Sequence, residues 1–262
     1  MRYIDACAYL GHYPFRKVER ITAAELAQDL DARGIACAVV SSLPAVYYRD
    51  ARDGNLDLFR EIAPYRDRPI PAAVGNPVYN EAIPDLERYV KEFGCREIRL
   101  FPRQHGYSLS DPRVTAYLRA CAALGVPVAF PLWLEDPRQA APMDITQTLT
   151  PAEVKAAAEA VPEVTLVLHN GDMAGFAAAL QPLERSGAVY YDFGRADPLY
   201  LNGLRGLIES VGTDRLLFAT SQPLQYPEAA MIRMAFLPKT CGVTEEQLQD
   251  IAGGSAVRLL GL

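Results

Sequence analysis

The sequence of 262 residues carries a formal net charge of −6, from 26 basic and 32 acidic residues, and 50% of its residues are hydrophobic. This length and composition predict a soluble globular chain with a large core, and the absence of any Lys/Arg block argues against nucleic acid as a partner. No basic leader is present and no apolar run approaches the roughly 18 residues of a membrane span, so we expect a cytoplasmic protein without a membrane partner.

The cysteines are scattered, odd in number and never arranged as a CxxC pair. They are Cys7, Cys37, Cys95, Cys121 and Cys241. This pattern argues against a disulfide framework and against a structural zinc cluster. We therefore expect reduced cysteines that lie mostly in the core.

Short apolar runs alternate with amphipathic stretches along the whole chain. The predicted strands span residues 3–9, 35–42, 70–76, 97–102, 126–132, 164–169, 188–193 and 215–220. The predicted helices between them span residues 23–33, 55–65, 81–93, 112–124, 151–161, 173–186 and 201–211. Because strands separated by helices pair in parallel through right-handed crossovers, this alternation predicts a (β/α)8 TIM barrel and not an open doubly wound sheet.

We expect this barrel to form a single domain over residues 1–262. Residues 226–262 should add two or three helices on its flank, including a helix over 244–252 that begins with the capping-box pattern T-E-E-Q. Longer connections follow the first, second, fourth and fifth predicted strands, at residues 11–21, 43–54, 103–111 and 133–150. Loops at this end of a barrel carry its specificity.

His169 ends the sixth predicted strand, where the buried run 164–168 is followed by His169, Asn170 and Gly171. The carboxyl ends of the strands form the active-site face of a TIM barrel, so His169 is the first candidate catalytic residue. The structural alternative is a core histidine that donates to a backbone carbonyl.

The fourth predicted strand carries charges on one side. With a period of two, Ile98 and Leu100 face the helices, so Glu97, Arg99 and Phe101 point into the barrel. A buried charge needs a partner. Glu97 and Arg99 therefore form a structural ion pair, or Arg99 binds an anionic substrate.

Further basic side chains follow predicted strands on the same face: Arg103, His105, Arg138 and Arg195. Guanidinium groups bind carboxylates in a bidentate manner and keep their charge when they are partly desolvated. Their shared placement predicts a small carboxylated substrate. Each alone can equally be a surface or salt-bridged side chain.

Several segments resemble the amidohydrolase superfamily, in particular its branch that contains aminocarboxymuconate-semialdehyde decarboxylase. The resemblance covers essentially the whole chain and rests on IDACAYLGHYP, GVPVAFP, LVLHNG, RLLFATSQP and the closing TEEQLQDIAGGSAVRLLGL. It implies the same TIM-barrel fold. It also implies that the family's metal-ligand positions are occupied here by Cys7, Tyr9, Pro131 and Ser221, and that a family histidine is retained only at His169.

These replacements predict that no metal is bound. A catalytic zinc site needs about three good protein ligands, and Cys7 with His169 gives two. His12 and His105 are the remaining histidines, and neither repeats a known ligand spacing. We therefore expect no cofactor, although a divalent metal such as zinc is the cofactor that the resemblance suggests.

The predicted function is that of a metal-independent, amidohydrolase-related hydrolase acting on a small carboxylated ester or lactone. His169 would be the general acid or base, Tyr9 a proton donor, and Cys7 a nucleophile if His169 stabilises its thiolate. The predicted substrate-binding residues are Arg99, Arg103, His105, Arg138, Arg195 and Ser221. The alternatives are a decarboxylase or lyase at the same site and a catalytically silent ligand-binding barrel. Homo-oligomerisation is left open.

Overall fold

Eight parallel strands form one sheet whose order follows the chain. The computed structural model describes residues 1–65, 68–135, 138, 140–192, 194 and 201–262, with the side chains of residues 201 and 202 excepted. The strands are β1 (Tyr3–Leu10), β2 (Ile35–Ser42), β3 (Pro69–Gly75), β4 (Glu97–Leu100), β5 (Val128–Pro131), β6 (Leu166–His169), β7 (Val189–Asp192) and β8 (Leu216–Leu217).

The sheet curls into a nearly closed barrel, because the chain around β8 returns to β1. Three backbone hydrogen bonds hold this seam: Ala6 N to Phe218 O at 2.9 Å, Ser221 N to Cys7 O at 2.7 Å and Tyr9 N to Gln222 O at 2.8 Å. The predicted single-domain TIM barrel is therefore confirmed.

Helices connect the strands. They are α1 (Ala23–Arg33), α2 (Leu43–Tyr47), α3 (Ala51–Ile62), α4 (Ala82–Lys91), α5 (Pro112–Ala123), α6 (Pro151–Ala160), α7 (Met173–Leu180) and α8 (Leu201–Val211). The bounds of α1 and α8 agree with the prediction. The helix predicted over 173–186 ends early at Leu180, since Pro182 has no backbone N–H with which to continue the helical hydrogen bonds.

The long connection predicted over residues 43–54 is partly helical in the structure. It contains the short helix α2 and the first turn of α3. Ser42 caps α2 by accepting a hydrogen bond from Ala45 N, and Asp50 caps α3 by accepting one from Arg52 N. These caps are local signals in the sequence, because Ser and Asp are favoured at the start of helices.

The C-terminal segment packs against β1 and β8. It comprises α9 (Pro227–Cys241), α10 (Glu245–Gln249), a π-helical turn (Asp250–Gly254) and α11 (Ser255–Leu260). The predicted capping box is present, with Thr244 and Gln247 as its members. Phe218 N donates to Ile251 O at 3.0 Å, so the π-helical turn is bonded to the chain just after β8.

The core has two layers that alternate along each strand. In β4, Ile98 and Leu100 pack against the helices, whereas Phe101 just beyond it belongs to the barrel interior. Glu97 and Arg99 are fully buried, as expected for inward-facing positions. Among the described residues, no helix combines the length and the apolarity needed to cross a membrane.

Candidate active site

Polar side chains are buried inside the barrel, close to the carboxyl ends of several strands. At each of the following positions the residue is at most 1% exposed: Asp5, Cys7, Tyr9, Ser41, Glu97, Arg99, His169, Asn170, Asp192, Ser221 and Gln222. Buried polar groups cost free energy unless they are paired. Their partners therefore define what the site can do.

His169 ends β6 and Asp192 ends the neighbouring β7, which places the two side chains together. Nδ1 of His169 lies 2.7 Å from Oδ2 of Asp192. The other carboxylate oxygen, Oδ1, accepts hydrogen bonds from Gly194 N at 3.1 Å and Asn170 N at 3.4 Å. Asp192 thus fixes the imidazole ring and is itself fixed by backbone N–H groups.

The second ring nitrogen of His169 faces Glu97. Its Nε2 lies 3.6 Å from Oε2 of Glu97, which is an ion-pair distance but too long for a hydrogen bond. Nε2 has no hydrogen-bond partner among the described residues. Burial by itself would lower the pKa of the His169 imidazole, but Cys7 and the two flanking carboxylates raise it to about 10. His169 is therefore an imidazolium at neutral pH, which can donate a proton and has no free base to offer.

All five N–H groups of the Arg99 side chain donate hydrogen bonds inside the protein. Its Nε donates to Oε1 of Glu97 at 2.8 Å, so the predicted ion pair is present. The remaining N–H groups bond to β1 and β2, at Ala8 O (2.8 Å), Ser41 Oγ (3.0 Å), Val39 O (3.0 Å) and Ala6 O (3.2 Å). With five donors in five hydrogen bonds, the guanidinium ties three strands together. Binding of substrate by Arg99 remains a prediction, and it would require one of these bonds to be exchanged.

Cys7 and Tyr9 lie next to this guanidinium. The Tyr9 ring is 5.1 Å from the Arg99 guanidinium carbon, and Cys7 Sγ lies 3.6 Å from Tyr9 Oη. Burial raises the pKa of the Tyr9 phenol well above its usual value, although the Arg99 cation acts in the opposite direction. Tyr9 is therefore a neutral phenol that can serve as a hydrogen-bond donor. Cys7 raises the pKa of both Arg99 and His169 by a coulombic effect, which only the thiolate form of its side chain can exert.

Ser221 and Asn170 meet between the ends of β8 and β6. Ser221 Oγ donates to Asn170 Oδ1 at 2.9 Å. Both residues have a left-handed backbone, with φ of 55°. Such a conformation is uncommon for residues other than glycine and is found at functional sites more often than elsewhere.

Asp5 anchors the seam below this site. Its carboxylate accepts hydrogen bonds from Cys7 N (3.1 Å), Thr220 N (2.9 Å), Thr220 Oγ1 (2.5 Å) and Gln222 Nε2 (3.4 Å). Burial raises the pKa of the Asp5 carboxyl to about 6, although the hydrogen bonds that it accepts act in the opposite direction. The carboxyl group therefore links β1 to the chain after β8.

The remaining predicted binding residues do not join this cluster. Arg103 binds both carboxylate oxygens of Glu153 at 2.9 and 2.8 Å and also contacts Thr148 O, so it fastens the loop before α6. His105 packs between the rings of Phe101 and Tyr107, and burial lowers its pKa. Arg138 is exposed. Arg195 lies outside the described residues.

The loops after β1, β2 and β5 are joined to each other. Tyr13 Oη donates to Asp144 Oδ2 at 2.6 Å, and Tyr47 Oη donates to Asp144 Oδ1 at 3.3 Å. Arg16 Nε donates to Glu135 Oε2 at 2.6 Å. These contacts link three of the loops that the active-site end of a TIM barrel uses for specificity.

The donor set suits a divalent cation poorly. Pro131 has no ligand atom, and the Ser221 hydroxyl donates to Asn170. In the part of the chain that the structure describes, no group of three His, Cys, Asp or Glu side chains is arranged to hold a metal ion.

Sequence reasoning missed Asn170 and Asp192 as site residues. A signal for Asp192 was available, because it ends the strand that follows the His169 strand. Consecutive strands of a parallel barrel are neighbours, so the residues that end them lie side by side. No sequence signal indicated the Ser221–Asn170 contact, which depends on the conformation of two loops.

Solved structures with this fold include several enzymes. A dihydroxybenzoic acid decarboxylase from Polaromonas, with bound manganese and the inhibitor 2-nitroresorcinol, is 18% identical, with a TM-score of 0.73 over 100% of this chain and 97% of that chain. The 5-carboxyvanillate decarboxylase of Sphingomonas paucimobilis is 15% identical, with a TM-score of 0.70 over 100% of this chain and 99% of that one.

A third similar structure is from Acinetobacter baumannii. It is assigned as a 2-pyrone-4,6-dicarboxylic acid hydrolase and has citric acid bound. It is 15% identical, with a TM-score of 0.68 over 100% of both chains. At these identities the likeness concerns the fold.

No curated protein matches the sequence significantly. The family model described as amidohydrolase matches residues 14–262, which is nearly the whole chain. This match agrees with the resemblance at the strand ends and with the barrel itself. The chain therefore belongs to the amidohydrolase family.

Proposed function

We propose that the protein is a metal-independent decarboxylase of a small carboxylated ring compound, with His169 as the proton donor. One observation carries the proposal. His169 is a buried imidazolium held by Asp192, and its Nε2–H has no hydrogen-bond partner among the described residues. A positioned acid of this kind speeds proton transfer by about 10²- to 10⁴-fold.

Decarboxylation matches what this cluster can supply. One proton is added to the ring carbon that bears the carboxylate, the bond to the carboxyl carbon breaks, and its electron pair stays with the ring as CO₂ leaves. The reaction needs an acid and no added water. The nearby carboxylates are not free to act as a base, because Asp192 is paired with His169 and Glu97 with Arg99.

The absence of a metal requirement is part of the proposal. A similar solved structure has bound manganese, whereas this barrel holds the charged side chains of Arg99 and His169 in its interior. Both cations are fixed by hydrogen bonds, so their charge is oriented before a substrate arrives.

Hydrolysis of an ester or lactone is the second candidate, and Cys7 favours it. The thiol is close to two cations and contacts the Tyr9 hydroxyl. A thiolate at this position would attack the carbonyl carbon and expel the alcohol, and water would then cleave the thioester. The similarity to the pyrone hydrolase supports this candidate.

The test is a screen of hydroxybenzoates and pyrone carboxylates, read by CO₂ release and by chromatography of the products. We expect CO₂ release that neither EDTA nor added Mn²⁺ changes. In D₂O the product should carry one deuterium at the carbon that lost the carboxylate. His169→Gln should lower the turnover number by about 10²- to 10⁴-fold, whereas the exposed His12→Gln should leave it unchanged.

The other functions give different results. Ring opening or ester cleavage without CO₂, lost in Cys7→Ser, would replace decarboxylation by hydrolysis. Rates that fall with EDTA and return with Mn²⁺ would overturn metal independence. Binding of carboxylates without turnover of any compound would favour the silent barrel.

A further inference from the structure

Two neighbouring side chains at the carboxyl end of β6 have hydrogen-bond donors left over. Nε2 of His169 and Nδ2 of Asn170 are buried and have no partner among the described residues. A buried polar group without a partner is costly, so most such groups in proteins are paired with protein, water or ligand. Unpaired donors on consecutive residues therefore call for an acceptor that the described residues do not provide.

The orientation of the Asn170 amide is fixed by its neighbours. Its Oδ1 accepts from Ser221 Oγ at 2.9 Å, and its backbone N–H donates to Asp192 Oδ1. Ser221 is fixed in turn, because its backbone N–H donates to Cys7 O at 2.7 Å. With the amide oxygen engaged, the two N–H groups on Nδ2 are the part of the side chain that remains available.

The backbone supports the same interpretation. Asn170 and Ser221 both adopt φ of 55°, although neither is glycine. A left-handed conformation is unfavourable for a non-glycine residue and persists where the surroundings enforce it, commonly at ligand sites. Here it brings the ends of β6 and β8 into side-chain contact and sets the amide beside His169.

The unpaired groups are hydrogen-bond donors. We therefore expect their partner to be an acceptor, in particular an anionic oxygen. Two N–H groups belong to the Asn170 amide. His169 adds its Nε2–H, because its ring lies between the carboxylates of Asp192 and Glu97, at 2.7 and 3.6 Å, which favour the imidazolium. Each nearby carboxylate is paired with a cation, Glu97 with Arg99 and Asp192 with His169, although Oε2 of Glu97 also lies 3.6 Å from Nε2 of His169. The Asn170 amide is therefore the main donor to an incoming anion. Hydrogen bonds from a charged donor to a carboxylate are roughly twice as strong as those between neutral groups.

We propose that the Asn170 amide and His169 Nε2–H form a carboxylate subsite that binds and orients the substrate's carboxylate group. The subsite deepens the proposed function and rests on it for the class of substrate. Asn170 is then a binding residue, and His169 contacts the group that decarboxylation removes. The Ser221 hydroxyl is a positioning group, because it acts through the Asn170 amide.

The subsite is tested by calorimetric titration of the full-length protein with benzoate and with the neutral benzamide. We expect benzoate to bind and benzamide to bind at least about tenfold more weakly. Asn170→Asp should weaken benzoate binding by about 10- to 100-fold, since a donor is replaced by a like charge. The exposed Asn80→Asp makes the same charge change outside the cluster and should bind as the wild type does.

Ser221→Ala provides a second variant that adds no charge. Freed from the hydroxyl, the amide can rotate, so benzoate affinity should fall severalfold without loss of the thermal midpoint. This variant decides the matter if Asn170→Asp fails to fold. Unchanged benzoate affinity in a folded Asn170→Asp protein would overturn the subsite. If that variant does not fold, unchanged affinity in Ser221→Ala would do so. Equal binding of benzoate and benzamide by the wild type would also overturn it.

Turnover separates this proposal from the proposed function. Once a substrate is found, Asn170→Asp should raise the apparent KM more than it lowers kcat, whereas His169→Gln, which removes both a carboxylate contact and the proton donor, should raise KM and also lower kcat strongly. If benzoate binding depends on Asn170 but the protein releases no CO₂, the subsite proposal holds and the proposed decarboxylation is wrong. Decarboxylation that is insensitive to Asn170→Asp would do the reverse.

Discussion

At the scale of single residues, the site is a set of buried charges that balance in pairs. Glu97 with Arg99 and Asp192 with His169 give two anions and two cations. Burial by itself raises the pKa of Glu97, but the neighbouring cations lower it below its usual value, so the carboxylate stays ionised. Buried ion pairs seldom stabilise a fold more than apolar residues of the same shape would. Their presence here is better explained by function, and it has a consequence for pH.

We predict that His169 makes the stability of the protein depend on pH in the alkaline range. Its pKa in the folded state is about 10, above the usual 6.5, so the folded state holds the proton more tightly than the unfolded state does. This stabilisation is complete below about pH 6.5 and is lost as the pH rises through about 10. The stabilisation at neutral pH is on the order of a few kcal/mol.

The measurement is the free energy of unfolding by urea between pH 7 and pH 10, for the wild type and for His169→Gln. The difference between the two proteins should shrink as the pH rises. Groups that titrate equally in both cancel from this difference. A difference that stays constant over the whole interval would show that His169 is not held as an imidazolium.

At the scale of elements, the C-terminal π-helical turn approaches β1 so closely that glycine is needed. A Cβ added to Gly253 would lie 2.5 Å from the backbone oxygen of Arg2. Backbone atoms cannot move aside as a flexible side chain can. The turn is also bonded to Phe218, so any displacement would disturb both strands of the seam.

Gly253→Ala should therefore lower the free energy of unfolding by about 1–3 kcal/mol, the usual cost of overpacking. Gly203→Ala in α8 is the matched control, because an added Cβ there meets no atom within 4 Å. That control should be neutral or stabilising by up to about 1 kcal/mol, since alanine favours helix. Urea unfolding of both variants compares them, and equal stability of the two would contradict the close approach.

At the scale of the whole molecule, the barrel holds its site in two ways. Arg99 joins β1, β2 and β4 from inside, while loop contacts join the connections after β1, β2 and β5 from outside. Asp144 is central to the outer set, since it accepts hydrogen bonds from both Tyr13 and Tyr47. The inner set is buried and the outer set is only partly so, hence the outer set should open first.

Asp144→Ala should speed amide hydrogen exchange in residues 140–149 by about 5- to 30-fold, the equivalent of one or two hydrogen bonds. Exchange in the strands should not change. Asp57→Ala, which removes an exposed carboxylate in α3, serves as the control and should leave these residues as they are. Unaltered exchange at 140–149 in Asp144→Ala would mean that the tyrosine contacts do not hold this loop.

The sequence by itself determined the barrel, because the periods of apolar residues and the capping signals are local. It also placed His169, Glu97 and Arg99, since alternation along a strand decides which side chains face inward. The charge state of His169 was not accessible in this way. It depends on Asp192, Glu97 and Cys7, which are distant in the chain and meet only when the barrel closes.

The tertiary structure also decided which polar groups are already engaged. Arg99 and Arg103 carry the same guanidinium in the sequence, yet all five N–H groups of the first bond inside the barrel and the second holds a loop to Glu153. The Asn170 amide, in contrast, has donors with no partner among the described residues, because its oxygen accepts from Ser221 in the segment after β8. Hydrogen-bond partners are a property of three-dimensional proximity, so residue type and spacing alone could not assign them.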